Sequence, residues 1–325
     1  MIQYQAKIDK EFHVMCQAAV QGQAEAQYKL AVYYRDSRNG QQAIKWYRKA
    51  AKQGHDRAQY ELAECYCIGY GVGQDKAEAI KWYRKSAEQG NSDAQYRIGT
   101  FYYDGWGVNQ DEAEAVKWCR TSANQGNSEA QFWLGDYYGN WSVNRDYVEA
   151  VKWYHQLAER GFVEAQYELG EYYYHGKGVC CDYPEAFKWY QLSAEQNYYE
   201  AFKRLGDCYF YGNGVSKDYI EAVKWYRKAA EKENTEAKFE LGNCYYNGYG
   251  VDKNYAEAVK WYREAAWQGH VGAQFELGNC YFYGNGLSEN YMEAVELYCE
   301  AAEQGYAKAK VICLKLGIQF TDDIL

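Results

Sequence analysis

The sequence repeats itself with a period of about 36 residues. The segment EAVKWYRKAAEKENTEAKFELGNCYYNGYGV begins at Glu221, and a near copy, EAVKWYREAAWQGHVGAQFELGNCYFYGNGL, begins at Glu257. The spacing is constant apart from a short first copy and one deletion near Asn140. One marker alanine recurs in each copy, at Ala26, Ala58, Ala94, Ala130, Ala165, Ala201, Ala237, Ala273 and Ala309. Such a period is typical of a solenoid, in which each repeat buries its apolar surface against its neighbours.

Each repeat predicts two helices. The second helix begins with Asp or Asn followed three residues later by Glu, as at Asp75 and Glu78, which is the pattern of a capping box. Apolar residues then recur with helical spacing, as at Ala79 and Tyr83, and predict one buried stripe. A glycine such as Gly90 ends the helix, because glycine adopts the left-handed conformation freely.

The first helix of each repeat follows the marker alanine and buries a stripe such as Ala58, Leu62 and Tyr66. A glycine inside a helix costs about 1 kcal/mol relative to alanine, so we expect a neighbouring helix to approach these positions too closely for a side chain. These glycines are Gly99, Gly135, Gly170, Gly206, Gly242 and Gly278. Asn197 and Glu233 replace the glycine that ends the second helix, and we expect an irregular turn at Glu233.

A single pair of helices cannot bury both stripes, so neighbouring repeats must stack. The sequence therefore predicts an all-α protein, an α/α solenoid of about eight helix-turn-helix repeats. No Pro-rich or Ser-rich linker interrupts the chain, which contains one proline, and we expect a single solenoid domain over residues 1–325. It would comprise a half repeat over residues 1–25, eight repeats over residues 26–308, and a half repeat with a tail over residues 309–325.

The combined motif, A-Q-Y-x-L-G-x-x-Y-x-x-G-x-G-V followed by D-x-x-E-A-x-K-W-Y-x-K-A-A-E-Q-G, resembles the Sel-1-like repeat family, which is related to the tetratricopeptide repeat. The resemblance covers nearly the whole chain. It implies a right-handed superhelix that scaffolds protein complexes, and it supplies no catalytic residues to transfer. A cysteine-rich branch of the family joins neighbouring repeats by disulfides, but the matching junction positions here look like Ala51/Ala58, Ala87/Ala94 and Ala230/Ala237.

Composition and charge bear on the kind of partner and on the cellular compartment. The formal charge of −9 disfavours binding to a phosphate backbone, which requires a basic surface. No apolar run approaches the ~20 residues that span a bilayer, and the first residues lack the pattern of a secretory signal. Eleven irregularly spaced cysteines are typical of free thiols in a reducing compartment. We expect a cytoplasmic protein that neither binds nucleic acid nor inserts into a membrane, with secretion by a signal-independent route left open.

No constellation of residues predicts catalysis or metal binding. No serine has lysine three residues later, as penicillin-recognising enzymes require, and the five histidines form no H-E-x-x-H motif. The pairs Cys65/Cys67 and Cys180/Cys181 lack a second pair at the spacing of a zinc site. We therefore expect no catalytic residue, no metal and no cofactor.

We define the first-helix face as the third, sixth and tenth residues after each marker alanine. Acidic and aromatic residues predominate there, and in related solenoids the first helices line a concave inner surface. We expect this groove to bind a basic or amphipathic segment of a partner protein, with Trp133 and Tyr211 as the main anchors. The predicted partner-binding residues are Trp133, Asp136, Glu168, Glu171, His175, Arg204, Asp207, Tyr211, Glu240, Asn243, Glu276, Asn279 and Tyr283.

Three other interpretations stay open. In the first interpretation, the first-helix face is simply solvated. Ion pairs within a helix, such as Glu78 with Lys81, then add a few tenths of a kcal/mol to stability. In the second, the chain is an enzyme of unrecognised type, with the β-lactam binding linked to some cysteine-rich relatives. The third is a helical-repeat RNA binder, since a period of 35–36 residues also suits repeats that read one base each. The acidic character of the face disfavours this last interpretation.

Overall fold

The computed structural model describes residues 12–143 and 145–318, which form helices and the turns between them. Residues 12–20 are helical and constitute α1. The first helices of the repeats are α2 (Ala24–Asp36), α4 (Asp56–Ile68), α6 (Ser92–Asp104), α8 (Ser128–Asp136), α10 (Val163–His175), α12 (Tyr199–Tyr211), α14 (Thr235–Asn247) and α16 (Val271–Tyr283). The second helices are α3 (Gly40–Lys52), α5 (Lys76–Glu88), α7 (Glu112–Asn124), α9 (Tyr147–Glu159), α11 (Tyr183–Glu195), α13 (Tyr219–Ala230), α15 (Tyr255–Trp267) and α17 (Tyr291–Glu303), and α18 (Ala307–Lys315) follows them. The prediction of an all-α solenoid is confirmed.

The chain divides into two compact units, Met1–Leu157 and Ala158–Leu325. Within each unit, a first helix packs against the second helix of its own repeat, and that second helix packs against the next first helix, as α4, α5 and α6 do. A helix therefore contacts chiefly its neighbours along the chain, as expected of a stacked repeat array. That one solenoid domain spans residues 1–325 stays a prediction.

Side-chain caps begin the second helices where the sequence predicts them. The Asp75 carboxylate accepts a 2.9 Å hydrogen bond from the backbone N–H of Glu78, and Asp182 caps α11 in the same way. The carboxylate of Glu78 accepts hydrogen bonds from Lys81 and from the indole N–H of Trp82. The aspartate half of the predicted capping box is therefore present, whereas the Asp75 N–H donates to the carbonyl oxygen of Tyr66 and the glutamate holds two side chains of the following turn.

The core contains one buried tyrosine from each second helix except α7, which has Cys119 at this position, and these side chains explain the glycines inside the first helices. A Cβ atom at Gly170 would lie 2.6 Å from the ring of Tyr190, in the second helix of the same repeat. Equivalent rings cover Gly135, Gly206, Gly242 and Gly278. The expected close approach is confirmed, and at these five glycines its source is an aromatic ring of the second helix.

The turn at Glu233 is irregular, as predicted. Glu233 has a left-handed φ of 62°, and the preceding helix α13 is one residue shorter than most of the other second helices. The carboxylate of Glu233 accepts a hydrogen bond from Lys238, which is buried where most repeats have a buried glutamine such as Gln166. An ion pair thus accompanies the unusual backbone conformation at this junction.

The repeat with the deletion near Asn140 ends its first helix differently from the others. Helix α8 covers nine residues and continues into a π-helical turn, Tyr137–Trp141. The other first helices cover 13 residues, and most of them end at a left-handed glycine, as α6 does at Gly105. The π-helical turn thus lies at the position of the deletion, within the first unit.

No helix among the residues that the structure describes is both long enough and apolar enough to cross a bilayer.

Candidate functional site

The sixth position after the marker alanine is an internal hydrogen-bond acceptor. The hydroxyl of Tyr190 donates a 2.6 Å hydrogen bond to Glu171, and that of Tyr226 donates a 3.0 Å bond to Asp207. The same bond joins Tyr83 to Glu64, Tyr154 to Asp136, Tyr262 to Asn243, and Tyr298 to Asn279. The residues predicted at this position to contact a partner therefore first stabilise the buried tyrosines of their own repeats.

Two repeats depart from this pairing, each in an informative way. Thr100 occupies the sixth position after Ala94, and the residue facing it along the second helix is Cys119, which needs no strong acceptor. In the first repeat Val32 offers no acceptor, and the buried hydroxyl of Tyr47 has no hydrogen-bond partner. Tyrosine and an oxygen acceptor otherwise occur together.

The third position contacts the preceding repeat. Arg204 binds the carboxylate of Glu171 at 2.5 Å, and its guanidinium lies 5.7 Å from the ring centre of Tyr174. Arg97 binds Glu64 of the repeat before it in the same manner, at 2.9 Å. The two arginines of the first-helix face therefore neutralise carboxylates of that face and join consecutive first helices within each unit.

The thirteen predicted partner-binding residues differ widely in exposure. Trp133 and Asp207 are buried, with 7% and 6% of their surface exposed. The half-buried residues are Asp136, Glu168, Glu171, Arg204, Glu240, Asn243, Glu276 and Asn279. Only His175, Tyr211 and Tyr283 among the thirteen are exposed.

The prediction of Trp133 as an accessible anchor is wrong. Its ring stacks on Tyr137 at 5.2 Å and meets the edge of Tyr103, from the preceding repeat, at 5.3 Å. Trp141, in the π-helical turn, packs on it from another side at 6.0 Å. These contacts bury the indole of Trp133, which is therefore part of a cluster of packed rings and has little contact with solvent.

The tenth position is the solvent-exposed edge of the first-helix face. In the second unit this edge consists of His175, Tyr211, Asn247 and Tyr283, which are all exposed. Tyr211 is 56% exposed and Tyr283 is 64% exposed, which is unusual for large aromatic side chains. The tenth position is thus the part of the face that is free to touch another molecule.

Burial governs the ionisation of the carboxylates behind this edge. It raises the pKa of Asp207 above its usual value, and Lys203, 2.9 Å away, offsets only part of the rise. Burial likewise raises the pKa of Glu240, and the nearby Asp207 adds to the rise. Glu240 and Glu276 accept hydrogen bonds from Asn243 and Asn279, but neither forms an ion pair with a basic side chain of the described residues. Two carboxylates of the second unit are therefore outside any ion pair of the described residues.

One lysine in each of several second helices pairs with a glutamate of its own helix. Lys188, Lys224 and Lys260 each bind the glutamate three residues earlier at 2.7 Å. In the part of the chain that the structure describes, no group of three or more potential metal-binding side chains comes together.

The sequence matches the family model described as Sel1 repeat over eight consecutive segments, at residues 24–55, 56–91, 92–127, 128–162, 163–198, 203–234, 235–270 and 271–306. The chain belongs to the Sel1 repeat family. Proteins of this family are generally non-catalytic scaffolds for protein interactions. The similarity that the repeat motif indicated is therefore confirmed.

Two solved structures of Sel1 repeat proteins are similar over most of this chain. A protective antigen present in uropathogenic Escherichia coli strains, which displays the same fold, is 36% identical with a TM-score of 0.84, over 94% of this chain and 68% of that chain. A Sel1 repeat protein from Oxalobacter formigenes is 31% identical with a TM-score of 0.72, over 94% of this chain and 89% of that chain. A comparison with curated proteins gave no match.

Proposed function

We propose that this Sel1 repeat protein is a non-catalytic scaffold or adaptor that binds a basic or amphipathic segment of a partner protein. The observation that carries the proposal is the proximity of an exposed tyrosine to a carboxylate that forms no ion pair on the second unit. Tyr211 is exposed, and Glu240 of the next repeat is close enough to raise its pKa beyond the rise that burial causes. An aromatic surface beside a free carboxylate suits a cationic side chain.

A second exposed tyrosine and a second carboxylate outside any ion pair occur further along the second unit. Tyr283 is exposed two repeats after Tyr211, and Glu276 lies without a basic partner on the same helix as Tyr283. A partner segment would meet tyrosines as desolvated anchors and carboxylates as charge complements. Carboxylates steer a basic segment from a distance and mainly speed its association, whereas aromatic anchors mainly slow its dissociation.

Features of the chain also favour this function over RNA binding and over catalysis. The acidic first-helix face favours a protein partner over RNA, whose phosphates require lysine and arginine. Membership of a family of non-catalytic scaffolds favours binding over an enzymatic role. The eleven cysteines, all free thiols, favour a reducing compartment such as the cytoplasm.

Photo-crosslinking from chosen positions tests the surface directly. A photoreactive phenylalanine analogue would replace Tyr211 or Tyr283, and the matched control would carry it at Lys224 on the exposed side of α13. We expect a common crosslinked protein from the two tyrosine positions, and a crosslinked peptide rich in lysine or arginine. Crosslinks confined to the Lys224 position would contradict the assignment of the surface.

The charge contribution has its own variant. Glu240→Gln keeps the acceptor for the Asn243 amide and removes the charge. We expect the association rate of the crosslinked partner to fall about threefold at low salt, with a smaller change at 0.5 M salt. The proposal would be overturned if the partner associated with the Glu240→Gln variant and with the native protein at equal rates at low salt. Stronger retention of nonspecific RNA than of the partner would overturn it as well.

A further inference from the structure

We propose that the first unit carries a separate site for a lysine or arginine side chain, on the exposed face of Trp141. The site is the four-ring cluster, which consists of Tyr103, Trp133, Tyr137 and Trp141. It rests on the proposed function only in taking the cation to belong to a protein partner. It uses different residues, so either can fail alone.

The four rings form one packed group. Trp133 and Tyr137 are stacked with 7° between their planes, and Tyr103 meets both rings edge-on. The ring of Trp141 lies 6.0 Å from Tyr103 and 6.0 Å from Trp133. Trp141 is nevertheless 46% exposed, so two rings pack against it while part of its surface remains open to solvent.

Two departures from the repeat coincide in this cluster. Trp133 replaces the charged residue that most other repeats have at the third position, such as Arg97 or Glu168. Trp141 is presented by the π-helical turn, where other repeats form a tight glycine-rich turn such as Gly105 to Gly107. Neither change is needed by the repeat fold, and π-helical turns are frequent at functional sites.

Carboxylates accompany the rings. The hydroxyl of Tyr137 lies 3.4 Å from a carboxylate oxygen of Glu112. Burial raises the pKa of Tyr103, and the negative charges of Glu112 and Asp104 raise it further. The cluster therefore combines the negative faces of aromatic rings with two nearby carboxylates, and both attract a cation.

Lysine side chains cover several other tryptophan rings of this chain. Lysine ammonium groups lie over the rings of Trp46, Trp82, Trp106 and Trp225, at distances between 3.7 and 4.2 Å. No lysine or arginine of the described residues lies over Trp141. A cation over this ring would therefore come from another molecule.

The indole N–H signals of the 11 tryptophans provide a direct readout by NMR. Trp141→Phe identifies the Trp141 signal, and a tetra-arginine peptide is the probe, with tetraglycine and tetraglutamate as controls. We expect the Trp141 signal to shift in a saturable way with tetra-arginine alone, and the apparent affinity to fall as salt is raised. Trp141→Ala, followed by the indole signal of the neighbouring Trp133, should weaken the affinity about tenfold.

Trp106 is the matched control, because it is 42% exposed but already covered by Lys76 at 3.7 Å. Its signal should not respond to the peptide in the native protein, and Lys76→Ala should make it respond. Glu112→Gln should weaken binding at Trp141 without moving the Trp106 signal. An unchanged Trp141 signal at saturating tetra-arginine, or an equal response to tetraglycine, would overturn the site and leave the proposed function of the second unit untouched.

Discussion

The hydroxyl of Tyr83 donates a 2.6 Å hydrogen bond to the carboxylate of Glu64, and both residues belong to one repeat. The bond connects the buried face of a second helix to the first-helix face. In the first repeat the same bond is missing, because Val32 occupies the position of the acceptor and the buried Tyr47 hydroxyl has no partner. The two repeats thus provide a natural comparison of a satisfied and an unsatisfied buried hydroxyl.

Removing each of these hydroxyls should have opposite effects on stability. Tyr83→Phe removes a hydrogen bond to a charged acceptor and should lower the free energy of unfolding by about 1.5 kcal/mol. Tyr47→Phe removes a buried hydroxyl that lacks a partner and should leave stability unchanged or raise it by about 1 kcal/mol. Urea denaturation of the two variants beside the native protein measures both effects. Equal destabilisation would mean that Tyr47 has an acceptor.

Asp136→Asn should become relatively more stabilising as pH rises. Burial raises the pKa of Asp136 above its usual value, so the native protein loses stability as this carboxyl ionises with rising pH. Asparagine still accepts the hydrogen bond from Tyr154, as Asn243 does from Tyr262, and it does not ionise. Urea midpoints measured between pH 3.5 and pH 7 should show the difference between variant and native protein growing.

The reverse substitution provides the control for Asp136. Asn243→Asp introduces a carboxyl close to Glu240, and it should destabilise the protein more at pH 7 than at pH 3.5. A pH-independent difference for both variants would contradict the explanation from burial.

The cysteines should react with a disulfide reagent in two distinct groups. Cys180 and Cys181 are exposed and should react at once at pH 8. Cys208, Cys244 and Cys280 are buried, which raises their pKa to about 12, and they should react only as fast as the protein opens. Denaturant should release all 11 thiols, and a count below about eight would contradict a reducing compartment.

Deletion of residues 235–270 should leave a shorter folded protein. The cut joins Asn234 to Val271, so Asn234 takes the capping position of His270, and each remaining helix keeps a neighbour. Circular dichroism should show helix content per residue unchanged. The matched control removes residues 235–252, which leaves a second helix without its first, and it should lose helix content beyond the deleted length.

The fold was predictable because the sequence signals for its helices recur in every repeat. Every repeat restates the same caps, stripes and glycines, so an error at one position such as Glu233 is corrected by the copies around it. Spacing also placed the third, sixth and tenth positions correctly on one helix face. It could not tell which of them the neighbouring repeat covers, since that depends on contacts such as Arg204 with Glu171.

The internal role of the sixth position did leave a signal in the sequence. Tyrosine in the second helix accompanies Glu, Asp or Asn in the first, and Cys119 accompanies Thr100. The burial of Trp133 left no such signal. It follows from a π-helical turn that brings Trp141 against it, and one missing residue does not reveal how the backbone accommodates the loss.

The bond between tyrosine and its acceptor has a consequence for how such a chain can grow. Both partners are encoded within one repeat, so a tandem duplication of the DNA delivers each new copy with its buried hydroxyl already satisfied. Bridging pairs such as Arg204 with Glu171 are divided between two copies, and each copy is free to mutate separately. A chain of this kind can therefore gain repeats without leaving a buried hydroxyl unsatisfied in each new copy. The residues at the contacts between repeats can meanwhile diverge from copy to copy.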